Sequence, residues 1–170
     1  PTVRNGLPNF FKKLDNNRPV TIGYLGGSIT EAAGYRVQTE KYFKEKYPNS
    51  VITSINAGVG GTGSALGAVR IGPEVLRHDP GLVFIEFAVN DAETDSLTIC
   101  NAIEGIVRQI KVKNINTDIC FLYTVHKPML SDLQRGKTVR SVRLMERIAG
   151  YYQIPSINLS YVVLNMLNSG

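Results

Sequence analysis

The sequence predicts an α/β fold in which helices cover both faces of a five-stranded parallel sheet. Two observations carry this expectation. Five short apolar runs alternate with stretches of helical periodicity from one end of the chain to the other, the pattern of strands joined by helical crossovers. The third run, Leu82–Phe87, is continuous and rich in β-branched and aromatic residues, as in a strand covered on both sides.

The elements come in this order. Val20–Leu25 reads as the first strand, closed by Gly26-Gly27. A helix over Tyr35–Tyr47 comes next and is stopped by Pro48-Asn49. Val51–Asn56 is the second strand and runs into Gly58-Val59-Gly60-Gly61-Thr62-Gly63. The helical segment from Ser64 to Arg77 contains Gly72-Pro73, which predicts a break or kink inside it, because proline lacks the backbone donor. After the third strand, Ile99, Ile103, Ile106 and Ile110 mark one face of a helix over Asp95–Lys113. Ile119–Val125 is the fourth strand. Val139, Val142, Met145, Ile148 and Tyr152 then form an apolar stripe on a helix that also carries Arg140, Arg143 and Arg147. Ile154–Leu159 is a short fifth strand, and Ser160 is placed to cap a helix beginning at Val162. Right-handed crossovers leave few topologies. The expected one is a flavodoxin-like three-layer sandwich with strand order 2-1-3-4-5 and its switch point between strands one and three. With no repeat or linker in the pattern, residues 1–170 read as a single domain.

Bulk composition narrows the function classes. A chain of 170 residues with 43% hydrophobic and 19% charged content is long enough to bury a core and is neither disordered nor fibrous in composition. The longest apolar runs are too short to cross a bilayer, so no membrane partner is expected. No basic-then-apolar signal segment opens the chain, and secretion and cytoplasmic residence both stay open. The formal charge of +5 is scattered apart from Arg135, Lys137, Arg140, Arg143 and Arg147. A solvated helix face accounts for these, and no nucleic-acid partner is expected. Cys100 and Cys120 lack metal-ligand spacing and read as buried structural thiols.

Ligands of such sheets bind beyond the carboxyl ends of the strands, near the switch point. Strand one ends in Gly26-Gly27-Ser28-Ile29-Thr30, strand two in Asn56 through Thr62, strand three in Ala88-Val89-Asn90-Asp91, and strand four at His126. Neighbouring strands lie roughly 4.8 Å apart, so order 2-1-3 flanks Ser28 with Gly61 on one side and Asn90 on the other. A serine hydroxyl between a glycine-loop N–H and an asparagine amide has the parts of a nucleophile with an oxyanion hole.

These blocks resemble those of the SGNH-type, or GDSL-family, serine esterases. Gly26-Gly27-Ser28-Ile29-Thr30 is similar to the family's first block. Asn56 followed five positions later by Gly61 is similar to its second, and Ala88-Val89-Asn90-Asp91 to its third, with Ala88 where glycine is usual. The resemblance covers essentially the whole chain. It implies hydrolysis of an ester through an acyl-enzyme on Ser28, and the breadth of the family suggests a small acyl group on a carbohydrate or similar alcohol. It implies oxyanion donors in the Ser28 and Gly61 amides and the Asn90 side chain, and neither a metal nor an organic cofactor. The family's Asp-x-x-His block after strand five has no counterpart, since neither Asp nor His occurs after Leu159. The chain therefore reads as truncated before its catalytic histidine, or as a non-catalytic carbohydrate- or partner-binding relative.

Two histidines are present. His78 precedes strand three, at the amino edge of the sheet, where a loop role is expected. His126 is at the carboxyl edge, but its strand should stand two positions from strand one, about 10 Å away. A general base needs about 3 Å, so His126 is expected to line the pocket and contact substrate, or to be purely structural. Glu86 is an isolated charge in an apolar strand, either paired inside the sheet or marking a less covered side. The competing reading is a dinucleotide-binding domain using Gly58, Gly60 and Gly63, which match Gly-x-Gly-x-x-Gly between a strand and a helix. It lacks the acidic residue expected at the end of the next strand.

Overall fold

The structure is a computed structural model that describes residues 1–169. Thr2 forms an antiparallel bridge to Ser156. Next comes α1 (Pro8–Asp15), a helix outside the predicted pattern. It leads into β1 (Val20–Gly26), the single turn α2 (Ser28–Glu31), α3 (Tyr35–Lys46) and β2 (Ile52–Gly58). The chain continues through α4 (Ser64–Glu74), β3 (Leu82–Glu86), α5 (Ser96–Lys113) and β4 (Asp118–Tyr123). It closes with α6 (Leu130–Gln134), α7 (Arg140–Tyr152), β5 (Ser156–Asn158) and α8 (Ser160–Asn168). The five strands form one parallel sheet in the predicted order, β2-β1-β3-β4-β5.

Strand alternation sorts the apolar side chains into two cores. On one face Ile22, Tyr24, Leu82, Phe84 and Cys120 pack against Phe10 and Leu14 of α1 and Phe43 of α3. Tyr24 and Phe84 stack across the β1–β3 pair with centroids 5.3 Å apart. On the other face Leu25, Val83, Ile85, Ile119 and Phe121 meet Ile71 of α4, Ile103 and Ile106 of α5, and Met145 of α7. Helix α1 is fastened to the edge of β4. The Phe10 amide donates to Asp118 Oδ2 at 2.8 Å and Asn9 Nδ2 to Oδ1 at 3.0 Å.

Several local expectations are corrected. Helix α4 continues through Pro73, and the Val75 amide still donates to Ile71 O at 2.9 Å. Ile71 and Val75 are both fully buried, so packing holds the turn despite the missing donor. A single 3₁₀ turn, Leu76–His78, comes after it. Ser160 is the first helical residue of α8 rather than its cap. Its amide donates to Asn158 Oδ1 at 2.9 Å, and its hydroxyl donates to Thr124 O at 3.1 Å. Arg143 and Arg147 are exposed, but Arg140 is not on a solvated face. Its guanidinium donates to Ala92 O and Thr94 O at 3.0 and 2.7 Å. Cys120 is buried, and burial pushes its thiol up to about 12, whereas Cys100 is half-buried. No helix among the described residues is long and apolar enough to cross a membrane.

Candidate active site

Parallel pairing brings three strand ends level. Gly26 of β1 pairs with Gly58 of β2 on one side and with Glu86 of β3 on the other. Residues two to five positions beyond these ends therefore emerge together at one edge of the sheet. Ser28 is exposed there as the first residue of α2. The turn is closed by the Glu31 amide on Gly27 O and the Ala32 amide on Ser28 O, both at 3.0 Å. It lies on the end of β2, backbone to backbone. A Cβ on Gly58 would stand 2.6 Å from Glu31 Cα and 2.7 Å from the Thr30 carbonyl carbon, too close for any side chain.

The loop after β2 wraps around the serine. A Cβ built on Gly60 would lie 3.7 Å from Ser28 Cβ, which makes Gly60 an immediate neighbour of the hydroxyl. The Gly60 amide is already engaged, donating to Glu31 Oε2 at 3.0 Å. Gly61 is next, with φ at +73° and nothing within 4 Å of its Cβ position. The Thr62 amide closes the turn onto Val59 O at 3.3 Å. A left-handed position in a tight turn is what glycine is suited to.

On the opposite flank, Asn90 lies in the turn after β3, with its carboxamide pressed against Gly27. A Cβ there would collide with Oδ1 and stand 2.7 Å from Cγ. Asn90 Oδ1 is buried without a hydrogen-bond partner among the described residues. Asp91, next in the chain, is buried, and its Oδ1 accepts the Ser64 amide at 3.0 Å. It thereby ties the start of α4, and the glycine loop before it, to the loop carrying Asn90. Burial raises the Asp91 pKa, against the lowering effect of the bonds from Ser64.

Beneath Ser28 sits Glu86, fully buried at the end of β3. Thr124 Oγ1 donates to its Oε1 at 2.8 Å, and Thr30 Oγ1 reaches Oε2 at 3.4 Å. The charge in the apolar strand is thus paired with hydroxyls inside the protein. Burial pushes its pKa up to about 7, against the lowering effect of both hydroxyls, with Asp91 adding to the rise. Arg70 of α4 donates to Ala57 O at 3.2 Å and is paired with Glu74 at 2.6 Å.

The histidines stand apart from this cluster. His78 is exposed at the amino edge and accepts from Arg77 Nε at 3.0 Å. His126 is half-buried, three residues beyond β4, and its carbonyl accepts the Met129 amide at 2.9 Å. Strand β3 stands between β4 and β1. Ser28, Gly61 and Asn90 therefore share one edge at the ends of adjacent strands, and His126 is at the same edge, after the strand beyond β3. Sequence reasoning missed the supporting roles of Glu31 and Arg70. It had Asp91 only as the last residue of the third block, and Glu86 only as a lone charge in a buried strand, of whose two readings pairing inside the protein holds. The Gly58, Gly60 and Gly63 fingerprint is accounted for without a nucleotide. Gly58 receives the Ser28 turn, the Gly60 amide holds a carboxylate where a pyrophosphate would compete, and Gly63 abuts Asp91.

Comparison with known proteins bears on the fold and the family. Among curated protein sequences none matches. A solved two-domain esterase active on acetylated mannans, crystallised with mannopentaose, superimposes with a TM-score of 0.82 at 26% identity. The match covers 96% of this chain and 44% of that one, so this chain spans less than half of that esterase's length. A lipase/acylhydrolase from Enterococcus faecalis (TM-score 0.66, 20% identity, 84% of this chain and 77% of that one) shares the fold. So does an SGNH-hydrolase family esterase (TM-score 0.63, 20% identity, 82% and 75%). The family model for GDSL-like lipases and acylhydrolases matches residues 24–168, and the chain belongs to that family.

Proposed function

We propose that this chain carries the nucleophile and oxyanion hole of a serine esterase that removes a small acyl group from a carbohydrate. The observation that carries the reading is the convergence of three strand ends on Ser28, with Gly60-Gly61 on one flank and Asn90 on the other. The Ser28 hydroxyl attacks the ester carbonyl, and negative charge develops on its oxygen. The Ser28 and Gly61 amides and Asn90 Nδ2 receive that charge. Gly61 suits the role better than Gly60, whose amide is occupied by Glu31. Collapse of the tetrahedral intermediate expels the alcohol and leaves an acyl-serine, which water then cleaves. Acetylated mannan is the first substrate to try, because the solved esterase of similar fold acts on acetylated mannans.

Serine is a weak nucleophile without a base within hydrogen-bonding reach. His78 is at the wrong edge and His126 is two strands away, so the base is assigned to sequence outside these 170 residues. The test has two parts. A fluorophosphonate probe labels Ser28 in a longer chain extended past Gly170, and Ser28→Ala abolishes both labelling and acetate release. The 170-residue chain assayed alongside turns over far more slowly. Equal, rapid turnover by both would make His126 the base. Labelling elsewhere, or full activity in Ser28→Ala, would put the nucleophile on another residue, whereas no labelling and no turnover in either chain would leave a binding relative of the fold. NAD is expected to leave the melting temperature unchanged.

Asn90→Ala removes one oxyanion donor. Such a loss lowers kcat by about 10²–10³ with little change in KM, and steady-state kinetics on a chromogenic acetate ester checks it.

A further inference from the structure

The carboxyl of Glu86 is fully buried, yet acylation and deacylation of Ser28 make no use of it. It lies on the α3 face of β3, two residues beyond Phe84 in the same alternation. Its two oxygens face different segments. Oε2 faces Thr30, inside the turn that carries Ser28, and Thr30 Oγ1 is also 2.9 Å from the Tyr35 hydroxyl of α3. Oε1 accepts from Thr124, just past the end of β4. The Thr124 carbonyl accepts the Ser160 hydroxyl at the start of α8, and the Leu159 amide donates to Tyr123 O at 2.9 Å. One buried carboxyl on β3 thus links the Ser28 turn to the segment after β4, and the Thr124 carbonyl carries the contact on to the start of α8.

We propose that Glu86 is the positioning residue of this edge, holding the Ser28 turn in register with the segments after β4 and β5. Only the identity of what is positioned rests on the esterase reading. The link between segments stands on the hydrogen bonds alone. A buried carboxyl this costly to desolvate is retained only with its oxygens satisfied, and here one satisfying hydroxyl lies in the Ser28 turn and the other just past β4. Burial also favours the protonated form of Glu86, in which one oxygen donates and the other accepts. Glutamine reproduces that donor–acceptor pair in the same volume. Leucine keeps roughly the volume and neither bond.

Amide hydrogen exchange tests the link without relying on activity. In Glu86→Leu the Ala32 amide of the Ser28 turn and the Val163 amide of α8, bonded to Ser28 O and Leu159 O at 3.0 Å, are expected to exchange at least tenfold faster. Amides in the middle of α5 should change far less. Glu86→Gln restores wild-type exchange at both sites. In the longer, active chain, Glu86→Leu lowers kcat at least tenfold with KM little changed, and Glu86→Gln recovers most of it. Should Glu86→Leu fail to fold, Thr124→Val keeps the side-chain shape while deleting one link, and faster exchange at Val163 is expected. Wild-type exchange at both amides in Glu86→Leu would overturn the proposal, as would acceleration spread evenly over the protein. If Ser28→Ala remains active, the esterase reading fails while the exchange data still decide Glu86.

Discussion

Asn90 owes its place to the absence of a neighbouring side chain. Gly27 has an ordinary extended backbone, φ −89° and ψ −150°, that alanine adopts without strain. Its constraint is contact, because a methyl group there would run into the Asn90 carboxamide. Gly27→Ala is therefore expected to fold while displacing the amide from the oxyanion position. Kcat should drop toward the Asn90→Ala value, about 10²–10³ below wild type, and Gly27→Ala should add little in an Asn90→Ala background. Gly61 is the reverse case. Its Cβ position is open, but its φ of +73° strains an L-residue by about 1–2 kcal/mol. Gly61→Ala should lower the urea midpoint and leave the Asn90 contribution intact. Full additivity of Gly27→Ala with Asn90→Ala in kcat would show that the methyl group acts by another route.

The strands and the major helices were legible at the scale of elements because each needs only its own residues. A buried parallel strand is apolar, and Leu82–Glu86 is buried at every position, with Glu86 its one polar side chain. The isoleucines of α5 all turn inward. What was not legible depends on partners distant in sequence. Helix α1 is eight residues long, and its Phe10 amide and Asn9 side chain both donate to Asp118, more than a hundred residues away. No local pattern announces that. Pro73 is tolerated in α4 because Ile71 and Val75 are already buried against the sheet. Within the site, the residues at strand ends could be placed from the order of strands, whereas the Glu31–Gly60, Asp91–Ser64 and Glu86–Thr124 contacts required coordinates. Asp118 supplies a test of this distinction. Asp118→Ala leaves the buried Phe10 amide without its acceptor, a loss of about 1.5–3 kcal/mol. Melting should fall by about 2–4 °C for each kcal/mol, and proteolysis should begin in residues 1–18. A melting temperature unchanged by Asp118→Ala would mean that α1 is held by Phe10 and Leu14 alone.

Taken whole, the protein sets two apolar cores on either side of one sheet and gathers buried polar groups, Glu86 and Asp91 among them, at the carboxyl edge where Ser28 is exposed. That placement has a consequence for stability against pH. Burial holds the Glu86 carboxyl protonated up to about pH 7, while in the unfolded chain it ionises near its ordinary value of 4.5. Between those values the folded state binds the extra proton, so stability falls as pH rises and levels off above about 7. The slope is about 1.4 kcal/mol per pH unit, or roughly 3 kcal/mol across the window. Other groups face the same region. Tyr35 of α3 stays protonated throughout, its pKa raised chiefly by burial. Asp91, raised by burial as well, adds a slope of the same sign. Comparison with Glu86→Gln removes both, because they are present in each protein and glutamine does not titrate. Urea unfolding of the two proteins from pH 4.5 to 8 should show the wild type losing stability relative to Glu86→Gln as pH rises to 7, then running parallel to it. A difference independent of pH would mean that Glu86 keeps an ordinary carboxylate pKa in the folded protein, with its hydrogen bonds from Thr124 and Thr30 strong enough to cancel the cost of burial.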